Sequence, residues 1–227
     1  MGNQVIVDLN LDSKKVLVIG GGKEGMRKVR GMLGQGCEIL VIDKNLSKEL
    51  ISLEQDGMIK TISHKLTDLS FLDGFKNIFI LMAATDNKLL NRKIIEKGVA
   101  MGALVYAADD PIVSNFSYAS LTTIEGVMQI AISTYGKSPL MARKIRMRIE
   151  RILRRIIKTT DLDNIVLQDF ARHLAKEKIA SGKERKQFLY FIMKNTEIKN
   201  AIALGNLDVA KETTRRLIRN WLEIENE

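Results

Sequence analysis

The chain has 227 residues, of which 45% are hydrophobic, and a formal net charge of +9. This length and composition are typical of a soluble globular protein with one domain and an appendage, or with two modest domains. No apolar stretch is long enough to span a bilayer, and the N-terminus lacks the pattern of a signal peptide. The single cysteine, Cys37, excludes an internal disulfide. We therefore predict a cytoplasmic protein without a membrane partner.

The positive charge is concentrated in the C-terminal part of the chain. Residues 1–135 contain 15 Lys and Arg against 15 Asp and Glu, whereas residues 136–227 contain 21 against 12. A basic region of this kind suits nucleic acid, a membrane surface or an acidic small molecule, and charge alone does not choose between them.

Near the N-terminus an apolar run breaks into glycines. Val16–Ile19 is followed by three glycines at the spacing of dinucleotide-binding loops, and then by helix-forming residues. The first of these glycines would form a tight turn, the second would let the backbone approach a pyrophosphate, and the third would let the helix pack closely on the strand. The predicted cofactor-binding residues of this loop and helix start are Gly20, Gly21, Gly22, Lys23, Glu24 and Gly25.

One helix later, a second apolar run, Ile39–Ile42, ends in Asp43. A carboxylate at the end of the second strand can accept hydrogen bonds from a ribose hydroxyl. We therefore predict NAD as the cofactor and include Asp43 and Lys44 among its binding residues, although Lys44 also leaves room for a 2′-phosphate.

Strands and helices alternate up to residue 112. A short edge strand is predicted at Val5–Leu9, and apolar runs at 58–63, 78–82 and 103–106 predict further strands of an α/β, Rossmann-type doubly wound parallel sheet. Ligands of such sheets bind outside the carboxyl ends of the strands. We therefore predict that Ala84 and Thr85 contact the cofactor and that Asp109 lines the same crevice.

After residue 112 the pattern changes. Residues 116–123 and 127–133 predict a β-hairpin, Ser138 and Pro139 predict the start of a long basic helix, and more helices follow from about residue 163. We predict three parts, a Rossmann domain at 1–112, a dimerisation segment at 113–150 and a helical C-terminal domain at 151–227. The hairpin and the apolar stripe of the long helix would expose more apolar surface than one small domain can cover. We therefore predict a homodimer.

Other sites receive little support from the sequence. The histidines, His64 and His173, and the lone Cys37 lack metal-ligand spacing, so no metal site is predicted. The basic helix is either a solvated face or a surface whose cations, Arg143 first, bind substrate carboxylates. No nucleic-acid partner is predicted, since neither an aromatic-interleaved basic patch nor a helix-turn-helix pattern accompanies the charge.

Several stretches along nearly the whole chain resemble the precorrin-2 dehydrogenase and sirohydrochlorin ferrochelatase family, which forms the N-terminal part of siroheme synthases. The most specific are Ala-Ala-Thr-Asp followed by Leu-Asn, and the Ser-Pro-x-x-Ala-Arg segment further on. The matching pieces are Lys15–Gly22 with Arg27 and Lys28, Ala83–Asp86 with Leu90 and Asn91, Asp109 with Pro111, Ala131–Ser133, and Gly136–Pro139 with Ala142 and Arg143.

This resemblance implies NAD-dependent oxidation of precorrin-2 to sirohydrochlorin in siroheme and porphyrin biosynthesis, coupled in some members to insertion of ferrous iron. It also implies a homodimer built through the middle segment. Asp109 corresponds to the family's catalytic aspartate, and the matching loop gives the substrate-binding candidates Thr134, Lys137, Ser138 and Arg143. Because no methyltransferase part follows, we expect the stand-alone form of the enzyme.

The chain departs from the family pattern near the presumed substrate crevice. Tyr106 stands where asparagine is common, Ala119 stands in place of proline, and Tyr135 stands in place of glycine. The alternative function is a regulatory NAD-binding module whose basic helical part contacts a partner or nucleic acid. Such a module would need no carboxylate at Asp109.

Overall fold

A computed structural model describes residues 4–66 and 68–224 of the chain, without the side chains of the last two. The chain divides into two compact units between Tyr118 and Ala119. Within the described part of the chain, no helix combines the length and the hydropathy needed to cross a membrane. The three-part division at residues 112 and 150 stays a prediction.

The first unit is built on a five-stranded parallel sheet with the strand order β3-β2-β1-β4-β5. This order and the parallel pairing confirm the predicted Rossmann-type α/β fold. The elements are β1 (Lys15–Ile19), α1 (Lys23–Met32), β2 (Glu38–Asp43), α2 (Lys48–Gln55), β3 (Lys60–Ser63), β4 (Ile78–Ala83), α3 (Lys88–Ala100) and β5 (Leu104–Ala107), with short 3-10 helices at Ser70–Gly74 and Pro111–Val113.

Helices cover the sheet on both faces, which explains why the central strands are continuous apolar runs. Helices α1 and α2 pack on one face through a cluster that includes Met26 and Leu50. Helix α3 and the first 3-10 helix pack on the other face through a cluster that includes Ile94 and Leu72. Strand β1 lies at the centre, where Ile19 pairs with Ile42 on one side and with Ala83 on the other.

The predicted edge strand at Val5–Leu9 is wrong. These residues form no regular structure, and the side chains of Val5, Ile6 and Val7 are exposed. Alternation of apolar and polar residues only forms a strand where a neighbour supplies backbone partners, and none of the five strands pairs with this segment.

The second unit begins with the predicted hairpin and long helix. Strands β6 (Ser120–Ile124) and β7 (Met128–Ile132) pair antiparallel across a turn in which Glu125 and Gly126 both have positive φ. Helix α4 (Pro139–Ile156) packs against this hairpin, and its N-cap Ser138 accepts a hydrogen bond from the Met141 amide.

Four further helices follow in the described part of the second unit, where the sequence predicts three or four. They are α5 (Thr159–Lys178), α6 (Gly182–Lys194), α7 (Thr196–Ala203) and α8 (Leu207–Ile224). Their shared core includes Phe188, which is fully buried and meets the Trp221 ring edge to face at 5.6 Å. Ser181 and Asn195 cap the starts of α6 and α7, which is why the chain breaks there.

A buried lysine lies between α1 and the edge of the sheet. Lys28 is only 4% exposed, and its Nζ lies 3.7 Å from the ring centroid of Tyr106 and 4.3 Å from that of Tyr118. Burial, reinforced by the charge of Arg27, lowers the pKa of Lys28 to about 8, although Glu24 at 3.8 Å favours the charged form. Tyr106 therefore packs in this aromatic cluster on the α1 face of the sheet.

This lysine should make stability depend on pH. Between its folded pKa of about 8 and the usual value of 10.5, the unfolded chain binds more protons than the folded chain, so stability should rise with pH. Relative to Lys28→Met, the parent should gain about 1.6 kcal/mol in free energy of unfolding between about pH 8 and 9.5, since one pKa unit is worth about 1.36 kcal/mol and the folded lysine is still half protonated at pH 8.

Urea unfolding of parent and variant across this range provides the measurement. The neighbouring tyrosines stay protonated there, because removal of their hydroxyls from water raises the pKa of Tyr106 and Tyr118. Replacement of the exposed Lys93 by Met is the matched control and should leave the difference flat. If the difference in free energy of unfolding between the parent and Lys28→Met also does not change with pH, the lowered pKa of Lys28 is contradicted.

Candidate dinucleotide site and strand-end carboxylate

The glycine loop is shaped by two close backbone approaches. A Cβ added at Gly25 would lie 1.8 Å from the carbonyl oxygen of Gly20, and a Cβ at Gly20 would lie 2.3 Å from that of Ala84. Gly20 also has a φ of +110°, which residues with side chains rarely adopt. Gly22 differs, because no atom lies within 4 Å of its added Cβ, so its open side can admit a phosphate.

Asp43 is tied to this loop at the end of β2. One carboxylate oxygen accepts a hydrogen bond from the Gly21 amide, and the other accepts from the Asn45 amide at 3.0 Å. The main chain of β2 also reaches the loop, since the Gly20 amide donates to the Ile42 carbonyl at 2.9 Å. These bonds hold the carboxylate beside the glycines, where a ribose would follow a pyrophosphate.

A cavity of about 310 Å³ opens at the carboxyl ends of the strands. Six of the ten predicted cofactor residues line it, namely Gly20, Gly22, Asp43, Lys44, Ala84 and Thr85. Gly21 and Gly25 do not line the cavity but allow close packing of the loop against its neighbours. Glu24 forms ion pairs with Arg27 and Lys28 along α1. Lys23 is exposed at the first position of α1. The site thus has the strand, loop and helix that a dinucleotide needs, and its residues fit that group.

A buried asparagine that the sequence analysis did not assign to the site connects two strand ends. Asn91, on α3, is 1% exposed, and its Oδ1 accepts from the Thr85 amide at 3.1 Å and from the Thr85 hydroxyl at 2.6 Å. Its Nδ2 donates to the Thr85 carbonyl at 3.0 Å and to Oδ1 of Asp109 at 2.9 Å. Asn91 therefore holds the end of β4 and the carboxylate after β5 in one network.

Asp109 lies just past β5 at this network. The Ala108 amide beside it donates to the Ala83 carbonyl at 2.9 Å, which fixes the backbone against β4. Among the described residues, Oδ2 of Asp109 receives no hydrogen bond, so this oxygen is available to a substrate. Asp110 plays a different part, since it accepts from the Ile112 amide and pairs with Arg92 at 3.0 Å, and these bonds lower its pKa.

The predicted substrate residues Thr134, Lys137, Ser138 and Arg143 belong to the second unit. The Thr134 hydroxyl accepts from the Ser138 amide at 3.1 Å and donates to its carbonyl, which ties the loop to the start of α4. Tyr135 holds a φ of +54° in this loop, a conformation that favours glycine. Arg143 and Lys137 are exposed.

The cavity lining also includes residues that the sequence did not assign to the cofactor, among them His64, Lys65 and Leu66 after β3, and Leu90 on α3. The apolar run at 58–63 was recognised as a strand, but its place beside β2 was not. With β3 next to β2, the residues after it necessarily face the same crevice as Asp43.

We expect glycine substitutions to separate loop shape from cofactor contact. Gly22→Ala should keep the fold and weaken dinucleotide binding by at least about tenfold, since its methyl group would occupy the phosphate approach and disturb hydrogen bonds to a charged group. Gly25→Ala should instead lower the melting temperature, because its Cβ meets the Gly20 carbonyl.

Titration calorimetry with NAD and thermal unfolding measure the two effects. Gly31→Ala, in the same helix with open space around it, is the control; it should preserve NAD binding and should not lower the melting temperature, because alanine favours a helix more than glycine does. Unchanged binding by Gly22→Ala would show that this glycine does not face the cofactor.

Two family models match consecutive parts of the chain. The family model described as "Putative NAD(P)-binding" matches residues 7–120, about half of the chain, and the model described as sirohaem biosynthesis protein central matches residues 125–152. The first match confirms that the N-terminal half of the chain is a domain for a nicotinamide dinucleotide, NAD or NADP.

Curated relatives are named siroheme synthases. Siroheme synthase 1 of Cronobacter sakazakii is 32% identical over 143 residues, which is 63% of this chain and 29% of that protein. The siroheme synthase of Actinobacillus succinogenes is 28% identical over 187 residues, which is 81% of this chain and 36% of that protein. The chain thus spans about a third of the length of these relatives.

A solved structure titled SirC, precorrin-2 dehydrogenase, has the same fold. It superimposes with a TM-score of 0.65 at 21% identity, covering 96% of this chain and all of that one. Because one family model covers half of the chain and the siroheme central model follows it, the chain belongs to the family of precorrin-2 dehydrogenases and siroheme synthase N-terminal parts that its motifs resemble.

Proposed function

We propose that the chain is an NAD-dependent oxidoreductase that converts precorrin-2 to sirohydrochlorin. The observation that carries this proposal is the Asp109 carboxylate, which Asn91 holds next to the strand end that lines the dinucleotide cavity. A module that only senses NAD has no use for a carboxylate held there with one free oxygen.

The oxidation removes a hydride and a proton from the macrocycle and leaves a new double bond. Bound NAD supplies the hydride acceptor. Asp109 accepts the proton on Oδ2, the oxygen that no described residue engages, while Oδ1 stays bonded to Asn91. The hydrogen bond from Asn91 holds the carboxylate in a fixed position, which is what proton transfer requires of a general base.

The cofactor residues remain those predicted, Gly20, Gly21, Gly22, Lys23, Glu24, Gly25, Asp43, Lys44, Ala84 and Thr85. NAD is preferred over NADP, because a 2′-phosphate would approach the Asp43 carboxylate. Support comes from the hydrogen bonds that hold this carboxylate at the loop. Tighter binding or faster turnover with NADP would contradict the preference.

Cations of the second unit bind the substrate's carboxylates. On α4, Glu150 pairs with Arg146 and Arg154. Within the described part of the chain, the other α4 cations have no ion pair, and these are Arg143, Lys144, Arg148, Arg151 and Arg155. Arg143, together with Thr134, Lys137 and Ser138, is the proposed substrate-binding set, since charge-assisted bonds recognise carboxylates.

The proposed assembly is a homodimer formed through the hairpin and α4. Only Ala142 of α4 is buried, and Ile152 and Ile156 are more than half exposed. Leu121 of the hairpin is also exposed. So much apolar surface suits a second copy of the same surface. Light scattering at micromolar concentration should give twice the chain mass of 25.6 kDa, and a monomer mass would contradict the assembly.

We expect Asp109→Ala to abolish most dehydrogenation without loss of NAD binding. General-base catalysis contributes about 10²- to 10⁴-fold, so the loss of turnover should be of that size. The assay is anaerobic conversion of precorrin-2 with NAD, followed by sirohydrochlorin absorbance, with calorimetry for NAD.

Asp110→Ala is the control for this experiment. Its carboxylate caps the 3-10 helix and pairs with the exposed Arg92, so its removal should change turnover little. Full turnover by Asp109→Ala would reduce that residue to a structural one, whereas a parent protein that binds NAD without turnover would favour the alternative of a regulatory module. An inactive Asp110→Ala beside an active Asp109→Ala would move the catalytic role by one residue.

A further inference from the structure

The cavity has a flat aromatic wall on its β3 side. His64, directly after β3, lines the cavity, and its ring stacks on Phe71 with centroids 4.0 Å apart and planes 16° apart. We propose that this His64 ring is the stacking wall for the adenine base of the cofactor, an inference that rests on the proposed NAD function.

A backbone hydrogen bond and a stacked phenyl ring position the imidazole. The His64 amide donates to the Asp43 carbonyl at 3.0 Å, which fixes its backbone to the end of β2. Behind it, Phe71 meets Phe75 edge to face at 5.4 Å, and both phenyl rings pack on the sheet core. Phe71 covers one face of the imidazole, so the ring can present its other face to a ligand.

The order of groups along a dinucleotide places its base at this wall. Gly20 and Gly22 receive the pyrophosphate, and Asp43 at the end of β2 receives the ribose. The base attached to that ribose must lie beyond Asp43, and β3 is the strand that pairs with β2 on that side. His64 and Leu66 therefore lie where the base is expected.

The chemistry of the wall matches a purine. A flat heteroaromatic ring offers stacking area to a planar base, and the apolar Ile42 and Leu66 beside it exclude water from the base. Lys65 lines the same side of the cavity but is exposed. Stacking on an aromatic side chain contributes to the affinity for a base without depending on its hydrogen bonds.

The test separates the two halves of the cofactor. Titration calorimetry measures the binding of AMP, NAD and nicotinamide mononucleotide to the parent, to His64→Ala and to His64→Phe. His64→Ala should bind AMP and NAD about 5- to 50-fold more weakly, as expected for the loss of one stacked base. The same variant should bind nicotinamide mononucleotide as the parent does, and His64→Phe should restore AMP affinity. His173→Ala, which removes the exposed histidine of α5, is the control and should change nothing.

Equal AMP affinity of the parent and His64→Ala would overturn this inference and leave the proposed function standing. An equal loss for all three ligands would also overturn it, since the side chain would then support the whole site. A parent that binds neither NAD nor AMP would overturn the proposed function and this inference together.

Discussion

The contact between the Gly25 position and the Gly20 carbonyl is the constraint on which the first unit depends. No side chain fits there, since even a Cβ would lie 1.8 Å from that oxygen. The start of α1 can therefore pack directly on the end of β1. Gly21 then reaches the Asp43 carboxylate, and Gly22 keeps its open side. The shape of the glycine loop and its hydrogen bond to Asp43 both follow from this close approach.

A second constraint is the buried amide of Asn91. A buried side-chain amide is costly unless its donors and acceptor are all used, and Asn91 uses them on Thr85 and Asp109. The strand end that lines the cofactor cavity is thereby tied to the proposed base. Positioning of this kind, within hydrogen-bond distance, is what proton transfer beside a hydride acceptor requires.

Local features were predictable from the sequence, and features that depend on topology were not. The glycine spacing and Asp43 were found because they follow from one strand-loop-helix unit. Asn91 and His64 were not assigned to the site, because their roles arise only once α3 and β3 are placed in the sheet. The alternation at Val5–Leu9 predicted a strand wrongly, since no neighbour pairs with it. Tyr106, a departure from the family pattern, packs against Lys28 on the α1 face of the sheet.

Under the proposed function, this chain transfers a hydride from precorrin-2 to NAD. The most direct measurement mixes the parent protein with precorrin-2 and NAD under anaerobic conditions and records sirohydrochlorin and reduced nicotinamide together by absorbance. Both products should appear at equal rates and in equal amounts, and neither should appear when NAD or the protein is omitted. Binding of NAD without formation of either product would contradict the proposed hydride transfer.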